Sequence, residues 1–266
     1  MEMQNLQPLQ LIIPSVFLAL LVLEVIIARR KRQDVFIVKD CLSNIGMMLF
    51  SNTVLKVFTV AWTVWLISLI QPLQLFSLEK DLLTFTLAFV VTDFMYYWYH
   101  RLSHESPLLW SMHHTHHSSL AMNFTTAVRL NWVGKFISPL FFLPLIIIGF
   151  PVEYVFGSLV LGLLYQLFLH TEFLPRMGWF EGKLLNTPSA HRVHHGVNPL
   201  YIDKNYAAVF IVWDRMFGSY QAETEKVQYG TTDGFIGYNP LSIQFGAMIR
   251  YGKRRLARLN GSTQSA

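Results

Sequence analysis

The side chains with the most chemistry to offer are ten histidines, and all of them fall between positions 100 and 195 of a 266-residue chain. They form four groups: "HRLSH" (His100, His104), "HHTHH" (His113, His114, His116, His117), a lone His170 in "FLHTEF", and "HRVHH" (His191, His194, His195). Positions i and i+4, or i, i+3 and i+4, share one face of a helix. His100 with His104, His113 with His116 and His117, and His191 with His194 and His195 are therefore same-face sets. His114 points about 100° away from His113 and is the odd member. Nine imidazoles remain. One tetrahedral zinc takes four ligands and one octahedral iron at most six, so nine imply two metal ions. Neutral imidazole suits iron, zinc and copper alike, which leaves the metal open.

Helices must carry these sets, and their start signals are present: Ser106-Pro107 before the second group and Thr187-Pro188 before the last, each an N-cap residue followed by proline. Gly196 marks the end of the last helix. Five polar residues are candidates to orient the imidazoles through their second nitrogen: Asp93, Glu172, Asp203, Asn205 and Asp214. Asp93 lies two turns before His100 inside an apolar run, where a carboxylate needs a partner. Arg101 and Arg129 are the alternatives for a purely structural pair. The Glu-x-x-His pairs of carboxylate di-iron bundles and the H-E-x-x-H protease signature are both missing from the sequence.

The rest of the chain is built for lipid. It is 53% hydrophobic and 14% charged, against about 25% charged in soluble domains. A net charge of +5 sits in short basic runs beside apolar segments, which reads as membrane topology and not as nucleic-acid binding. The single Cys41 excludes an intrachain disulfide framework.

Apolar stretches run over residues 9–28, 45–70, 82–99, 136–150 and 152–169, the last two joined at "GFP" (Gly149, Phe150, Pro151). The fold class expected is an all-α integral membrane protein with four to five transmembrane helices, the last two crossing fully or forming a re-entrant hairpin. A cytosolic helical cap would hold the dinuclear site. "RRKR" (residues 29–32) after the first stretch keeps that end cytoplasmic and the N-terminus outside. Every histidine then reaches the cytoplasmic face. Residues 1–84 read as N-terminal membrane helices with a basic loop, 85–220 as the catalytic domain, and 221–266 as a C-terminal cytosolic segment. That segment ends in a basic, then disordered, tail from 253. "RMGWFEGKLL" suggests an interfacial segment with Trp179 and Phe180 at headgroup depth. No fused haem or flavin module is seen.

The pattern H-x3-H, H-x2-H-H, H-x2-H-H in a membrane protein resembles the fatty acid hydroxylase and sterol desaturase superfamily over residues 85–220. "LWSMHHTHHSSLAMNFTTAVR", "YQLFLHTE" and "NTPSAHRVHHGVNPLYIDKNYAAVFIVWDRMFGSYQAETEKVQYG" are most similar to its alkylglycerol monooxygenase-like and bacterial sterol desaturase-like branch. The resemblance implies a non-haem enzyme with two iron ions that uses O2 and two electrons on a lipid C–H bond. An external ferredoxin, cytochrome or reduced pterin would supply the electrons. His100, His104, His113, His116, His117, His170, His191, His194 and His195 match the family's ligand positions. The residue at the place of His114 is often basic or polar in the family, so the set is nine or ten. Two other readings are a di-zinc membrane hydrolase and a metal transporter or sensor. Nine histidines overfill the first, and the second expects ionisable residues along a mid-membrane path.

Overall fold

Long apolar runs broken by short polar ones fold into twelve α-helices over residues 7–260, the part that the computed structural model describes. No strand occurs among the described residues; two isolated antiparallel bridges, Leu185 to Phe210 and Gly196 to Tyr229, pin loops. Helix α1 (Gln7–Lys31) ends in Arg29, Arg30 and Lys31. Helix α2 (Val38–Phe50) passes through one wide turn, Ser51–Leu55, into α3 (Lys56–Ile70). Helix α4 (Leu82–Glu105) starts at an Asp81 cap, whose carboxylate accepts from Thr84 N at 2.7 Å. It buries Thr84, Ala88, Thr92, Tyr97 and His100 at helical spacing along one side.

Next come α5 (Pro107–His117), the short α6 (Phe124–Ala127) and α7 (Gly134–Ile137), then α8 (Leu143–Ile148) and α9 (Val152–Leu169). Helix α10 (Pro188–His194), the short α11 (Val212–Met216) and α12 (Pro240–Leu259) complete the set. The apolar core lies where α3, α4, α8 and α9 meet, around Leu66, Ala88, Phe142, Ile146 and Val155.

Two helical stretches, Val38–Leu73 and Val152–Leu169, are long and apolar enough to cross a membrane. The first leaves much of its apolar surface exposed, Val57, Phe58 and Val64 of α3 included, while the second packs partly into the core. Residues 136–150 do not make one continuous helix. Pro139 and Pro144 divide them into the end of α7, a short tight turn at Ser138–Phe141, and α8. Gly149 then turns the chain with φ +131°, where a Cβ would stand 2.5 Å from the Phe76 carbonyl oxygen. The basic residues from 253 belong to the last turns of α12 instead of an irregular tail, and 261–266 lie outside the described residues.

Charged groups buried in this apolar frame, Glu24, Asp40 and Arg129 among them, are paired. Glu24 of α1 accepts from Thr171 Oγ1 at 2.7 Å and Phe124 N at 2.8 Å, which ties the first helix to the residue after His170. Arg129 is fully buried and donates to Asp40 at 2.9 Å, Asn44 Oδ1 at 2.8 Å and Thr115 O at 2.8 Å. That clamp joins α2 to α5. A buried ion pair of this kind is tolerable because each guanidinium nitrogen meets an acceptor.

Candidate metal centre

The histidines come from four helix ends. His100 and His104 occupy the last turns of α4, His113 to His117 the end of α5, His170 caps α9, and His191 to His195 span α10 and its C-cap. Both start signals are used: Ser106 is the N-cap of α5, and Thr187 Oγ1 accepts from Ala190 N at 3.1 Å above α10. Gly196 does follow α10, but without a positive φ. Its role is space, since a Cβ there would approach Tyr201 Cδ2 to 2.8 Å.

Nine imidazoles bring their donor atoms into two groups, each within 4.8 Å: His100, His104, His113, His117 and His194 in one, His116, His170, His191 and His195 in the other. The groups cut across the sequence motifs. His113 and His117 join the first and His116 the second, and His194 is separated from His191 and His195 in the same way. The groups touch, with the His117 and His195 rings stacked at 4.3 Å.

Outer hydrogen bonds decide which nitrogen carries the proton. The Nδ1 of His100 lies 2.7 Å from Tyr206 O, that of His116 3.3 Å from Arg129 O, that of His170 2.7 Å from Gln166 O, and that of His194 3.0 Å from Lys204 O. A carbonyl only accepts, so each of these Nδ1 atoms donates and each Nε2 keeps its lone pair. Yet His116 and His170 bring those Nε2 atoms to 3.2 Å of each other, lone pair against lone pair. His100 and His117 bring theirs to 3.0 and 3.1 Å from His113 Nε2. The Nε2 atoms of His104, His194 and His195 are buried with no hydrogen-bond partner. Two nitrogens at about 2.1 Å from one ion, at right angles, stand about 3.0 Å apart. The donor set fits a metal ion in each group. Burial drives the imidazoles of His113, His116, His117, His191, His194 and His195 well below their ordinary pKa, and neighbouring imidazoles lower them further. They are neutral, the form that binds metal.

His114 belongs to neither group. It is fully buried, with Nε2 3.4 Å from Arg250 and 3.9 Å from Asp233, and its ring packs at 5.7 Å on Trp110.

Of the five polar candidates, Asp203 alone meets an imidazole, at 3.7 Å from His104 Nδ1. Asp214 acts one residue further out. Its carboxylate accepts from the amides of Tyr206 and Ala207, both at 2.8 Å, and so holds the Tyr206 peptide whose carbonyl holds His100. Asn205 donates at 2.9 Å to Ala190 O, beside His191. Glu172 bonds Tyr229 and no imidazole.

Asp93 meets neither Arg101 nor Arg129. It accepts from Val209 N at 2.9 Å, Phe210 N at 3.1 Å and Trp213 Nε1 at 2.9 Å, fastening the loop after Tyr206 to α4. Asp93→Ala leaves three donors unpaired, one of them buried and two partly so, and is expected to cost about 2–4 kcal/mol. Thermal unfolding of the purified variant reads this as a lowered midpoint, and an unchanged midpoint contradicts it.

The carbonyls that orient the rings leave no mark in the sequence, because every residue has one. Trp110 is equally silent there, yet it packs at 5.2 Å on His104 and 5.6 Å on His117.

A cavity of about 580 Å³ opens on one side of the centre, lined by His113, His116, Met112, Thr63, Leu159 and Phe142 among others. On another side, an opening of about 190 Å³ is lined by His104, Trp110, His117, His194, His195 and Asp203.

Fold and site together define an all-helical protein whose buried histidine cluster is fit to bind metal at the head of an apolar cavity. The fatty acid hydroxylase family model matches residues 85–219, the stretch that contains every histidine, and the chain belongs to that family. It is 38% identical over 229 residues to the alkylglycerol monooxygenase of Xenopus tropicalis, covering 86% of this chain and 51% of that protein. To the alkylglycerol monooxygenase of Homo sapiens it is 40% identical over 205 residues, 77% of this chain and 44% of that one. A more distant match is the ornithine lipid hydroxylase of Rhizobium tropici, 27% identical over 135 residues, 50% of this chain and 40% of that one. The chain thus spans about half the length of the first two. No solved structure matches.

Proposed function

We propose that the chain is a membrane-bound non-haem di-iron oxidoreductase that hydroxylates or desaturates a lipid C–H bond with O2 and two electrons. The observation that carries this is the set of nine largely buried imidazoles whose ring nitrogens converge in two groups beside an apolar cavity. His100, His104, His113, His117 and His194 would hold one iron, and His116, His170, His191 and His195 the other. Bound iron supplies the activation of O2 that no side chain here can perform.

The chain's own residues hold and shield. The carbonyls of Tyr206, Arg129, Gln166 and Lys204 keep the donor atoms of His100, His116, His170 and His194 inward, and Asp214 fixes the first of them. Walls from α3, α4 and α9 would keep water from the reacting carbon. The smaller opening beside Trp110 and Asp203 gives a separate donor of electrons, a ferredoxin, cytochrome or reduced pterin, its approach. The relatives named for alkylglycerols favour an ether lipid, in which hydroxylation beside the ether oxygen gives a hemiacetal that collapses to an aldehyde and a glycerol derivative.

In the membrane, α1, the α2–α3 rod and α4 would cross, and the broken α7–α8 stretch would pair with α9 as the hairpin that brings His170 back to a cytoplasmic histidine cap. Residues 1–84, 85–220 and 221–266 then serve as membrane anchor, catalytic domain and cytosolic segment. The hydrolase reading is weakened by the carboxylate geometry: of the five polar candidates only Asp203 touches an imidazole. Metal analysis with oxygen-uptake assays tests the reading. About two irons per chain with lipid-dependent oxygen uptake is the expected result, and zinc without uptake would sink it.

A further inference from the structure

Lys135 carries a charge that its surroundings leave unbalanced. It lies in α7, half-buried, and its Nζ donates to Ser51 Oγ at 2.5 Å. No carboxylate comes within ion-pair distance of it among the described residues, whereas the buried Arg129 and Arg192 each have one. An ammonium has three donors, and Ser51 takes one. A cation withdrawn from water costs free energy until an anion or further acceptors meet it.

This unbalanced group lines the same cavity as His113 and His116. Its neighbour Gly134 lies against Met112, the residue before His113: a Cβ added at Gly134 would stand 3.9 Å from Met112 Cβ. The cationic end of the cavity is therefore also its metal-facing end.

The other end is lipid-like. From Lys135 the cavity follows Thr59, Thr63 and Ile67, one face of α3 at i, i+4 and i+8, opposite Phe156, Leu159 and Leu163 on α9. At 1.5 Å per residue, Ser51 to Ile67 spans about 24 Å along the helix rod. Val60 and Val64 on the same wall are 52% and 59% exposed, so the groove is open sideways to a bilayer. Exposed Lys56, the first residue of α3 and about one turn from Ser51, places a second cation at this level of the rod. Lys135 thus stands at headgroup depth and the groove below it at acyl depth.

We propose that Lys135 is a headgroup anchor, and that the cavity takes a single-chain lipid whose head carries an anionic oxygen, phosphate or carboxylate. The chain lies between α3 and α9, with its first carbons beside His113 and His116. This rests on the lipid-oxidising reading above and adds the class of head and the end of the chain that is presented.

The test uses three probes that share one chain and differ in the head: hexadecyl phosphate, palmitate and hexadecanol. Their binding to the full purified chain in phosphatidylcholine nanodiscs is measured under anaerobic conditions, so failure of the oxidation chemistry does not affect the readout. The wild-type chain should bind at least one anionic probe about tenfold tighter than hexadecanol, as a charge-assisted hydrogen bond allows. The tighter of the two identifies the head as phosphate or carboxylate. Lys135→Met should bring that ratio close to one, Lys135→Arg should keep most of it, and Lys80→Met, which removes an exposed charge elsewhere, should leave it intact. A wild-type ratio near one, a ratio that survives Lys135→Met, or an equal loss in Lys80→Met overturns the proposal.

Discussion

His113→Ala is expected to abolish lipid-dependent oxygen uptake and to lower iron from about two per chain to about one. His113 Nε2 stands 3.0 Å from His100 Nε2 and 3.1 Å from His117 Nε2, so its loss opens the centre of the five-histidine group. Losing an outer partner of a ligand costs roughly 10–100-fold; losing this nitrogen should cost more. The informative comparison is within each motif. His194→Ala should resemble His113→Ala in the spectrum of the iron that remains, while His116→Ala and His191→Ala should resemble each other and differ from that pair. His114→Ala, outside both groups, should keep both irons and at least part of the turnover. Iron analysis, oxygen uptake and the spectra of the residual iron check all of these. Spectra that sort by sequence motif, or full activity in His194→Ala, would contradict the assignment.

Filling the cavity should separate access from metal binding. Thr63 on α3 and Leu159 on α9 line opposite walls of the 580 Å³ space. The double variant Thr63→Trp, Leu159→Trp places two indoles between the bilayer and the histidines. It should lower kcat/KM for the lipid about a hundredfold, the scale of loss when a reacting atom is misplaced by about 1 Å. Iron content should stay at about two per chain. Overpacking of this kind costs about 1–3 kcal/mol of stability, which a modest drop in the unfolding midpoint would register. Loss of iron along with activity would mean that the cavity wall supports the metal centre and does not serve as a passage.

Signals that are local in the chain are legible in the residues themselves. Ser106-Pro107 and Thr187-Pro188 start α5 and α10, Thr187 with its hydroxyl as the cap and Ser106 by position alone. Pro139 and Pro144 lie within residues 136–150, and they break that stretch where a count of apolar residues leaves a span and a hairpin equally open. Asp93 is conspicuous as a carboxylate in an apolar run, but its partners are 116 to 120 residues away and two are backbone amides, which carry no side-chain signal. Glu172 lies next but one to His170 and still turns to Tyr229. Lys135 is a single lysine in no pattern. Only the absence of a counter-charge around it makes it notable.

What the sequence by itself determined is the inventory: which nitrogens are available, that they lie at helix ends on shared faces, and that the surroundings are apolar. These follow from i, i+3 and i+4 geometry and from composition, which need no knowledge of distant contacts. The tertiary structure alone decided the division into five and four. That division depends on how α4, α5 and α10 are rotated against one another, and on carbonyls of Tyr206, Arg129, Gln166 and Lys204 that turn four of the rings. Three histidines on one face of α5 can point at one metal or two, and packing against helices far away in the chain chooses between them.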